Sequence, residues 1–164
     1  MQLQKTLRVN RDADHVWGIV AHEFEKVGEW SSGVVSSGEN TEAIAPEGAH
    51  VGGRVCDVPG IGDLKETFTA YSEENKRFTF EVTGMPSFIT KAQNTVTVKP
   101  AGANASEVSL NILMETNAIG KIMGPMFKIR LTSTLNTFLD ELKDYAEHGK
   151  VSAKKQKQLA KAAA

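Results

Sequence analysis

Apolar and polar positions divide the start of the chain into two stretches of different period. Residues 3–9 alternate between apolar and polar side chains, which predicts a first β-strand. From residue 10 to residue 30 the apolar spacing becomes helical, and Asp12 or Asp14 can accept a hydrogen bond at a helix start. We therefore predict two short helices after the first strand, ending near Gly28.

The middle of the chain, from Trp30 to Asn117, has the pattern of strands separated by turns. Residues 77–83, RFTFEVT, and residues 107–116, EVSLNILMET, place apolar side chains on one face and mostly polar ones on the other. Glycine, proline and short polar clusters interrupt the pattern repeatedly. This arrangement favours an antiparallel meander of about six strands.

A long amphipathic helix is predicted after Gly124 and Pro125, because the apolar residues that follow recur every three or four positions. Proline suits a first helical turn, and Gly149 suits a helix end. Residues 150–164 are rich in lysine and contain no acidic residue, so we expect a solvated, frayed tail or an extension of the helix. The predicted domain covers residues 1–149, and this lysine-rich C-terminal tail follows it.

The order of the predicted elements indicates an α+β fold, with helices segregated from an antiparallel sheet. One helix cannot fill the concave side of a long, strongly twisted sheet. A hollow therefore remains between the sheet and the helix, and hollows of this kind are where small molecules bind.

The composition is that of an ordinary soluble globular protein. The chain has 164 residues, of which 40% are hydrophobic and 24% charged, and its formal net charge is -1. This length suits one domain, and the charge excludes a global bias towards nucleic acid or membranes. The single cysteine, Cys56, excludes an internal disulfide and a cysteine-rich zinc site. With no apolar signal-peptide core and no stretch of roughly 20 apolar residues, we expect a cytoplasmic protein.

Two charged residues interrupt apolar rows in the segment RVCDVPGIGDLKETF, which begins at Arg54. If its turn is centred near Gly60, antiparallel pairing places Arg54 opposite Glu66, on a phase that Glu66 shares with Phe68 and Ala70. Two interpretations are open. The pair is either a structural salt bridge that closes one end of the barrel, or a polar anchor for the carboxylate, carbonyl or hydroxyl of a ligand.

Asn94 is a third polar residue on an inward phase, which it shares with Ala92, Val96 and Val98. Its amide can fix the carbonyl of a ligand. It can equally bind a neighbouring main-chain group or a cavity water. Both interpretations are open from the sequence.

Apolar side chains from the sheet and from the long helix are expected to line the hollow. The candidates are Phe68, Phe80, Val82, Leu110, Ile112 and Met114 from the sheet and Phe127, Leu131 and Leu135 from the helix. Met85, Met123 and Met126 lie beside glycine and proline, where flexible thioethers suit a mouth that adapts to its ligand. The alternative is that all of these residues are core, with the methionines filling gaps beside loops.

No motif indicates a metal, a nucleotide or another cofactor. The four histidines lack the paired spacing of a metal site or of a nucleophile and its base. The glycines of GIG and VGGR are not followed by a helix, as a phosphate-binding loop requires. The C-terminal lysines can contact anionic lipid or RNA, although solvation is the favoured interpretation. We therefore expect no cofactor, no nucleic-acid partner and no membrane span.

These features together resemble the START-like, or Bet v 1-like, superfamily, and within it the bacterial polyketide cyclase/dehydrase-type proteins, also called SRPBCC proteins. The resemblance spans roughly residues 3–148. It rests on DHVWGIVAHEFEKVGEW for the first helices, VGGRV at strand three, LKETFTAYSEENKRFTFEV for strands four and five, and the long C-terminal helix. It implies a helix-grip fold, in which a curved seven-stranded antiparallel sheet wraps around that helix and encloses an apolar cavity.

The resemblance also implies a range of functions. Members bind lipids, sterols, hormones or polyketides, and a minority are cyclases, hydrolases or other enzymes, so the fold alone does not fix the function. We expect a binding protein for a small hydrophobic molecule that Arg54, Glu66 and Asn94 orient. One alternative is a polyketide cyclase or dehydratase with Glu66 as acid or base and Arg54 as oxyanion partner. Another is a protein-interaction module that uses the basic tail.

Overall fold

The computed structural model describes residues 1–164, except for the side chain of Met123. Seven strands form one antiparallel sheet: β1 (Gln2–Val9), β2 (Ser36–Glu39), β3 (Gly53–Val58), β4 (Gly62–Ser72), β5 (Arg77–Thr83), β6 (Ile89–Pro100) and β7 (Ser106–Thr116). Their order in the sheet is β1-β7-β6-β5-β4-β3-β2. Strands β2 to β7 form the predicted meander, and β1 extends the sheet by pairing with β7.

The two predicted short helices follow β1. The first is α1 (Ala13–Trp17), which continues as a π-helical turn over Gly18–His22, and the second is a 3-10 helix over Phe24–Glu29. Asp12 caps α1, because its carboxylate accepts a hydrogen bond from the backbone N–H of His15 at 2.9 Å. Of the two predicted caps, Asp12 is therefore the one that starts the helix.

The long helix, α2, covers Ala118–His148 and begins earlier than predicted. Asn117 caps it directly after β7, accepting a hydrogen bond from the backbone N–H of Gly120 at 3.1 Å. Pro125 lies inside the helix and not in its first turn, at the cost of one i to i−4 hydrogen bond. The predicted end is confirmed, because Gly149 adopts the left-handed conformation, with φ 62°, that terminates helices.

The lysine-rich segment contains a third helix, α3 (Ala153–Ala162), which folds back onto the domain. Lys155 is fully buried and donates hydrogen bonds to the main-chain oxygens of Val34 and Val35 at 2.7 and 2.9 Å. The burial of Lys155 differs from the expected solvated tail, whereas most other side chains of α3 are exposed. The reason is that a lysine stem is apolar and its ammonium group can satisfy free carbonyls at the end of a loop.

The buried core consists of two clusters. The larger contains the aromatic rings of Trp17, Phe24, Phe68 and Phe78, with centroids of neighbouring rings 4.5 to 5.6 Å apart. The smaller is formed by Ile89, Ala92, Ile112 and Met114. It faces the N-terminal half of α2, so the two ends of the long helix rest on different parts of the core.

A β-bulge in β4 changes which side chains face the core. The pairing with β5 shifts between Phe68 and Ala70, which leaves Thr69 as an extra residue. Ala70 is consequently exposed, against its predicted phase, whereas Tyr71 packs on the core with its ring 5.6 Å from that of Trp17. The prediction for Ala70 is wrong because one extra residue reverses the alternation of a strand.

Candidate functional site

The predicted register of the β3–β4 hairpin is confirmed, with Arg54 directly opposite Glu66. Both residues are only 9% exposed. Arg54 Nε donates a hydrogen bond to Glu66 Oε2 at 2.5 Å, so the two charges form a buried ion pair. Each charge compensates the loss of water around the other, which neither could tolerate alone at this depth.

Other groups of the protein also hold Arg54. Its Nη1 donates to the main-chain oxygen of Phe24 at 2.8 Å. The guanidinium carbon lies 3.9 Å from the centroid of the Phe24 ring and 5.8 Å from that of Phe80. This geometry favours a structural role for Arg54, and its predicted contact with a ligand stays a prediction.

Glu66 keeps one carboxylate oxygen free of these contacts. Oε2 binds Arg54, whereas Oε1 has no hydrogen-bond partner among the described residues and is not sealed from solvent. On the other side of β4, Glu66 lies opposite Val82 of β5. Oε1 is therefore in a position to accept a hydrogen bond from a hydroxyl or amide group.

Asn94 projects from β6, with Phe80 and Ile112 as its cross-strand neighbours. Its side-chain oxygen Oδ1 is buried, and no described group donates a hydrogen bond to it. Buried polar atoms are almost always paired, so an unpaired oxygen marks a place for an added donor. Two strand spacings of about 4.8 Å, together with the two-residue offset between Phe80 and Val82 on β5, separate Asn94 from Glu66 by roughly 12 Å.

An apolar seam lies where the N-terminal half of α2 approaches the sheet. We define the α2 seam as the smaller buried cluster together with the partly buried side chains packed on it, Leu3, Val82, Met85, Phe88, Phe127, Leu131 and Leu135. Glu66 and Asn94 border this seam, because their cross-strand neighbours Val82 and Ile112 belong to it. Since its walls are only partly buried, the seam retains apolar surface that another molecule can cover.

The predicted lining residues divide between the seam and the closed core. Phe68, Phe80 and Leu110 belong to the larger cluster, where the ring of Phe80 is 5.3 Å from that of Phe24. The α2 seam contains Val82, Met85, Ile112, Met114, Phe127, Leu131 and Leu135. Met126 is 68% exposed and is not part of the seam, and the side chain of Met123 lies outside the described residues.

A second polar cluster, which sequence reasoning missed, lies at the turn between β4 and β5. Glu73 accepts hydrogen bonds from Trp17 Nε1 at 2.8 Å and from the hydroxyl of Tyr71 at 2.7 Å, and it pairs with His22 Nε2 at 3.0 Å. His50 stacks on His22 with ring centroids 4.5 Å apart. Burial raises the pKa of Glu73, but these hydrogen bonds outweigh it and lower the pKa to about 2.

This cluster gave no signal in the sequence because its members come from distant segments of the chain. The bond between Trp17 and Glu73 spans 56 residues, and His22 is 51 residues from the same carboxylate. A helix periodicity and a turn pattern identify each segment separately. Only the folded chain brings them together, and there they tie the first helices to the sheet.

Two open grooves lie elsewhere on the surface. One, of about 240 Å³, is lined by polar and charged side chains that include Arg77 and Lys99. The other, of about 470 Å³, lies between the first helices and the end of α2 and includes Arg11, His15 and Tyr145. Neither groove contains a predicted site residue, and neither shares a residue with the α2 seam.

The described residues contain neither a group of metal ligands nor an activated thiol. Within the described residues, no three metal-ligating side chains are grouped so that they could hold a metal ion. Cys56 is buried, and burial raises the pKa of its thiol to about 11, so the thiol is protonated at neutral pH. Among the helices of the described chain, none combines the length and apolar character needed to cross a bilayer.

A protein-family model described as polyketide cyclase / dehydrase and lipid transport matches residues 1–147. Comparison with curated protein sequences gives no match. The family match covers all seven strands and nearly all of α2, and it stops before α3.

Solved structures show the same fold. A START superfamily protein from Mycobacterium smegmatis has a TM-score of 0.70 at 17% identity, over 88% of this chain and 96% of that one. A norcoclaurine synthase point mutant from Thalictrum flavum, in complex with a transition-state analogue, has a TM-score of 0.63 at 17% identity, over 89% and 93%. The di-domain ARO/CYC BexL from the BE-7585A biosynthetic pathway has a TM-score of 0.67 at 13% identity, over 88% and 47%. At these identities the likeness establishes the helix-grip fold.

Proposed function

Because the chain belongs to the polyketide cyclase / dehydrase and lipid transport family, we propose that it binds a small hydrophobic molecule in the α2 seam. One observation carries this proposal. The seam presents partly buried apolar side chains from both the sheet and α2, and a buried amide oxygen with no partner among the described residues lies beside it. A ligand would cover the first and satisfy the second.

Apolar contact supplies most of the affinity in this proposal. Covering about 200 Å² of apolar surface contributes roughly 5 kcal/mol before the cost of association is subtracted. Phe127, Leu131 and Leu135 would contact the ligand from the side of α2, and Val82 and Met85 from the side of the sheet. These flexible and branched side chains can adapt to different shapes.

Polar contacts would orient the ligand. Glu66 Oε1 and Asn94 Oδ1 are acceptors without a described partner, and Asn94 Nδ2 is a donor without one, whereas Arg54 is bound to Glu66 and Phe24 through Nε and Nη1. A ligand with a hydroxyl or amide group, each of which can both donate and accept a hydrogen bond, therefore fits this site better than a carboxylate does. A carboxylate would meet the negative charge of Glu66 without a free cation to balance it.

The experiment that tests this proposal begins with native mass spectrometry of gently purified protein, followed by organic extraction of any bound molecule. We expect a discrete hydrophobic mass that carries at least one hydroxyl or N–H group. If the protein is empty, thermal-shift measurements with a panel of fatty alcohols, sterols and phenols provide the second test. If the purified protein is empty and no member of the panel raises its melting temperature, the proposal is ruled out.

A pair of tryptophan variants locates the site on the helix. Leu131→Trp adds bulk on the seam side of α2, and Ile129→Trp adds the same bulk on the outer side, where the native residue is 73% exposed. We expect Leu131→Trp to abolish binding of the identified ligand and Ile129→Trp to leave its dissociation constant unchanged. Equal affinity in both variants would place the ligand elsewhere.

Catalysis is the second candidate function, and the free oxygen of Glu66 favours it. A carboxylate beside an apolar seam can exchange a proton with a bound polyketide-like or aromatic substrate. The engagement of Arg54 by Glu66 and Phe24 weighs against its use as an oxyanion partner. Glu66→Gln separates the functions: turnover lost with binding retained supports catalysis, whereas altered binding without turnover in the native protein supports recognition.

A further inference from the structure

The N-terminal half of α2 carries apolar side chains on its outer face as well as in the seam. Four large apolar residues are exposed there, and we call them the α2 stripe: Ile119 at 62%, Ile122 at 84%, Met126 at 68% and Ile129 at 73% exposure. At 100° per residue they fall within an arc of about 80° of the helix. Phe127 and Leu131 project on the other side, into the seam.

Such a stripe is unusual on a protein in water. Single exposed apolar residues are common, but a contiguous apolar patch marks a surface that binds something. The α2 stripe runs for about 15 Å along the helix, which is three turns. Its residues are β-branched or unbranched apolar side chains without a polar tip, so water gives them no compensating hydrogen bonds.

The charged side chains on this half of α2 are all of one sign. Residues 116–139 contain Lys121, Lys128 and Arg130 and no aspartate or glutamate, although the whole chain has a net charge of -1. All three cations are exposed, and none forms a salt bridge with another described residue. This half of α2 therefore combines an apolar face with a locally positive field.

The position of the stripe in the fold adds a further apolar contact. α2 begins directly after β7, at the same end of the antiparallel sheet as the turn between β3 and β4. The tip of that turn is Ile61, which is 42% exposed. The end of the fold that presents the α2 stripe thus also presents an apolar loop tip.

We propose that the α2 stripe docks on the surface of a membrane that contains anionic lipid. Its apolar side chains enter the boundary between head groups and acyl chains, and Lys121, Lys128 and Arg130 contact lipid phosphates and carboxylates. At 100° per residue Arg130 lies about 60° from the centre of the stripe, and Lys121 and Lys128 lie about 120° and 140° from it, so the two lysines reach the head groups only through their long side chains. A helix with an apolar face and cations on its other side lies in the plane of a membrane and does not cross it. The inference is independent of whether a ligand occupies the seam.

Charge separates this partner from a second copy of the chain. A symmetric dimer through the α2 stripe would bring together two copies of this cationic half-helix, with Arg130 beside the contact in each copy. No carboxylate within residues 116–139 could balance them. An anionic membrane covers the apolar side chains and neutralises the cations in one contact.

The test is co-sedimentation of the full chain with vesicles of phosphatidylcholine alone and of phosphatidylcholine mixed with phosphatidylserine. We expect binding to the mixed vesicles that weakens as salt is raised. The reason is that each cation raises the affinity roughly fivefold at low ionic strength, and salt screens this contribution. Ile122→Ser with Ile129→Ser should reduce binding by roughly tenfold or more, since two buried side chains are lost. Ile44→Ser is the matched control, because Ile44 is 90% exposed but lies in the loop between β2 and β3.

Charge reversal provides the second arm. Lys121→Glu with Lys128→Glu should abolish binding to the mixed vesicles, whereas Lys154→Glu with Lys157→Glu, at exposed lysines of α3, should leave most of it. Circular dichroism confirms that each variant is folded. Failure of the native chain to bind mixed vesicles, or equal binding by the stripe and control variants, overturns the proposal. Dimers of the native chain that the serine variants convert to monomers would overturn it in favour of a second copy.

Discussion

Arg54 and Glu66 lie opposite each other on β3 and β4, and their ion pair joins the two strands where both side chains are withdrawn from water. The guanidinium also rests on the ring of Phe24, so the pair connects the sheet to the 3-10 helix. Glu66 gives one oxygen to this contact and keeps the other for the seam. One carboxylate therefore borders both a structural contact and a candidate binding surface.

Removing one partner of this pair should destabilise the protein far more than removing both. Arg54→Met leaves the Glu66 carboxylate buried and unpaired, and we expect it to lower the free energy of unfolding by about 3–5 kcal/mol. The double variant Arg54→Met with Glu66→Leu removes both charges and should recover much of that loss. Urea unfolding of native, single and double variants measures the coupling. If the losses in free energy of unfolding of the two single variants sum to the loss of the double variant, the two side chains do not stabilise the protein as a pair.

Asn94→Leu should make the protein more stable and a poorer binder. The change removes a buried oxygen that lacks a donor and replaces the amide with an apolar group of similar size. We expect the free energy of unfolding to rise by about 1 kcal/mol and the affinity for a hydroxyl-bearing ligand to fall roughly tenfold. Thermal unfolding and ligand titration on the same samples provide both values. A clear loss of stability would show that the amide has a structural partner.

The carboxylate of Glu73 should make stability depend on pH in the acid range. Its pKa falls from an ordinary value of 4.5 to about 2 in the folded protein, so the folded state binds its proton less readily than the unfolded state does. The stabilisation is present above about pH 5 and is lost as the pH falls towards 2. Glu73→Gln should therefore cost about 1 kcal/mol at neutral pH, a modest value because the side chain is 46% exposed, and almost nothing near pH 2.

Urea unfolding at neutral pH and at acid pH measures this difference. Glu74→Gln is the control, since Glu74 is the exposed neighbour of Glu73 in the same turn. If the difference in free energy of unfolding between the native protein and Glu73→Gln stays constant across the acid range, the lowered pKa of Glu73 is contradicted.

Lys155 should hold α3 on the domain. Burial lowers the pKa of its ammonium group, and the negative charge of Glu141 opposes that effect. Lys155→Met keeps the length of the side chain but removes the hydrogen bonds to Val34 and Val35. We expect a loss of about 1–3 kcal/mol in local stability and faster amide exchange in residues 153–162. Hydrogen exchange with mass spectrometry measures the exchange rate, and Lys154→Met, at an exposed lysine, is the control. Exchange that is unchanged in Lys155→Met would show that other contacts hold the helix.

Cys56 should be inert in the folded protein. The side chain is buried, and burial raises the pKa of the thiol to about 11 although the nearby Arg54 acts to lower it. We expect no reaction with a disulfide reagent at mildly alkaline pH until urea unfolds the chain, because only the thiolate attacks and it must also be reached. A chromogenic disulfide reagent tests this expectation, because the rate at which it releases its coloured thiolate can be measured with and without urea. Rapid reaction of the folded protein would mean that the β3–β4 hairpin opens readily.

Local patterns in the sequence determined much of the fold. Period-two alternation placed the strands, and the numbers on either side of the turn at Gly60 were enough to pair Arg54 with Glu66, because strand register follows from the position of a turn. The end of α2 followed from Gly149, since that conformation favours glycine. Resemblance to a family added the helix-grip arrangement, in which the sheet wraps around the long helix.

Where these local patterns were incomplete, the tertiary structure determined the positions of the side chains and of the helix start. The bulge at Thr69 moved Ala70 outward and Tyr71 inward, and the cap at Asn117 started α2 well before Pro125. Lys155 became buried only because two carbonyls lay within its reach. Each outcome depends on partners distant in the chain, which a local period does not contain. For the same reason, the sequence indicated that Glu66 and Asn94 face inward, but only packing decided that each keeps an oxygen free beside the α2 seam.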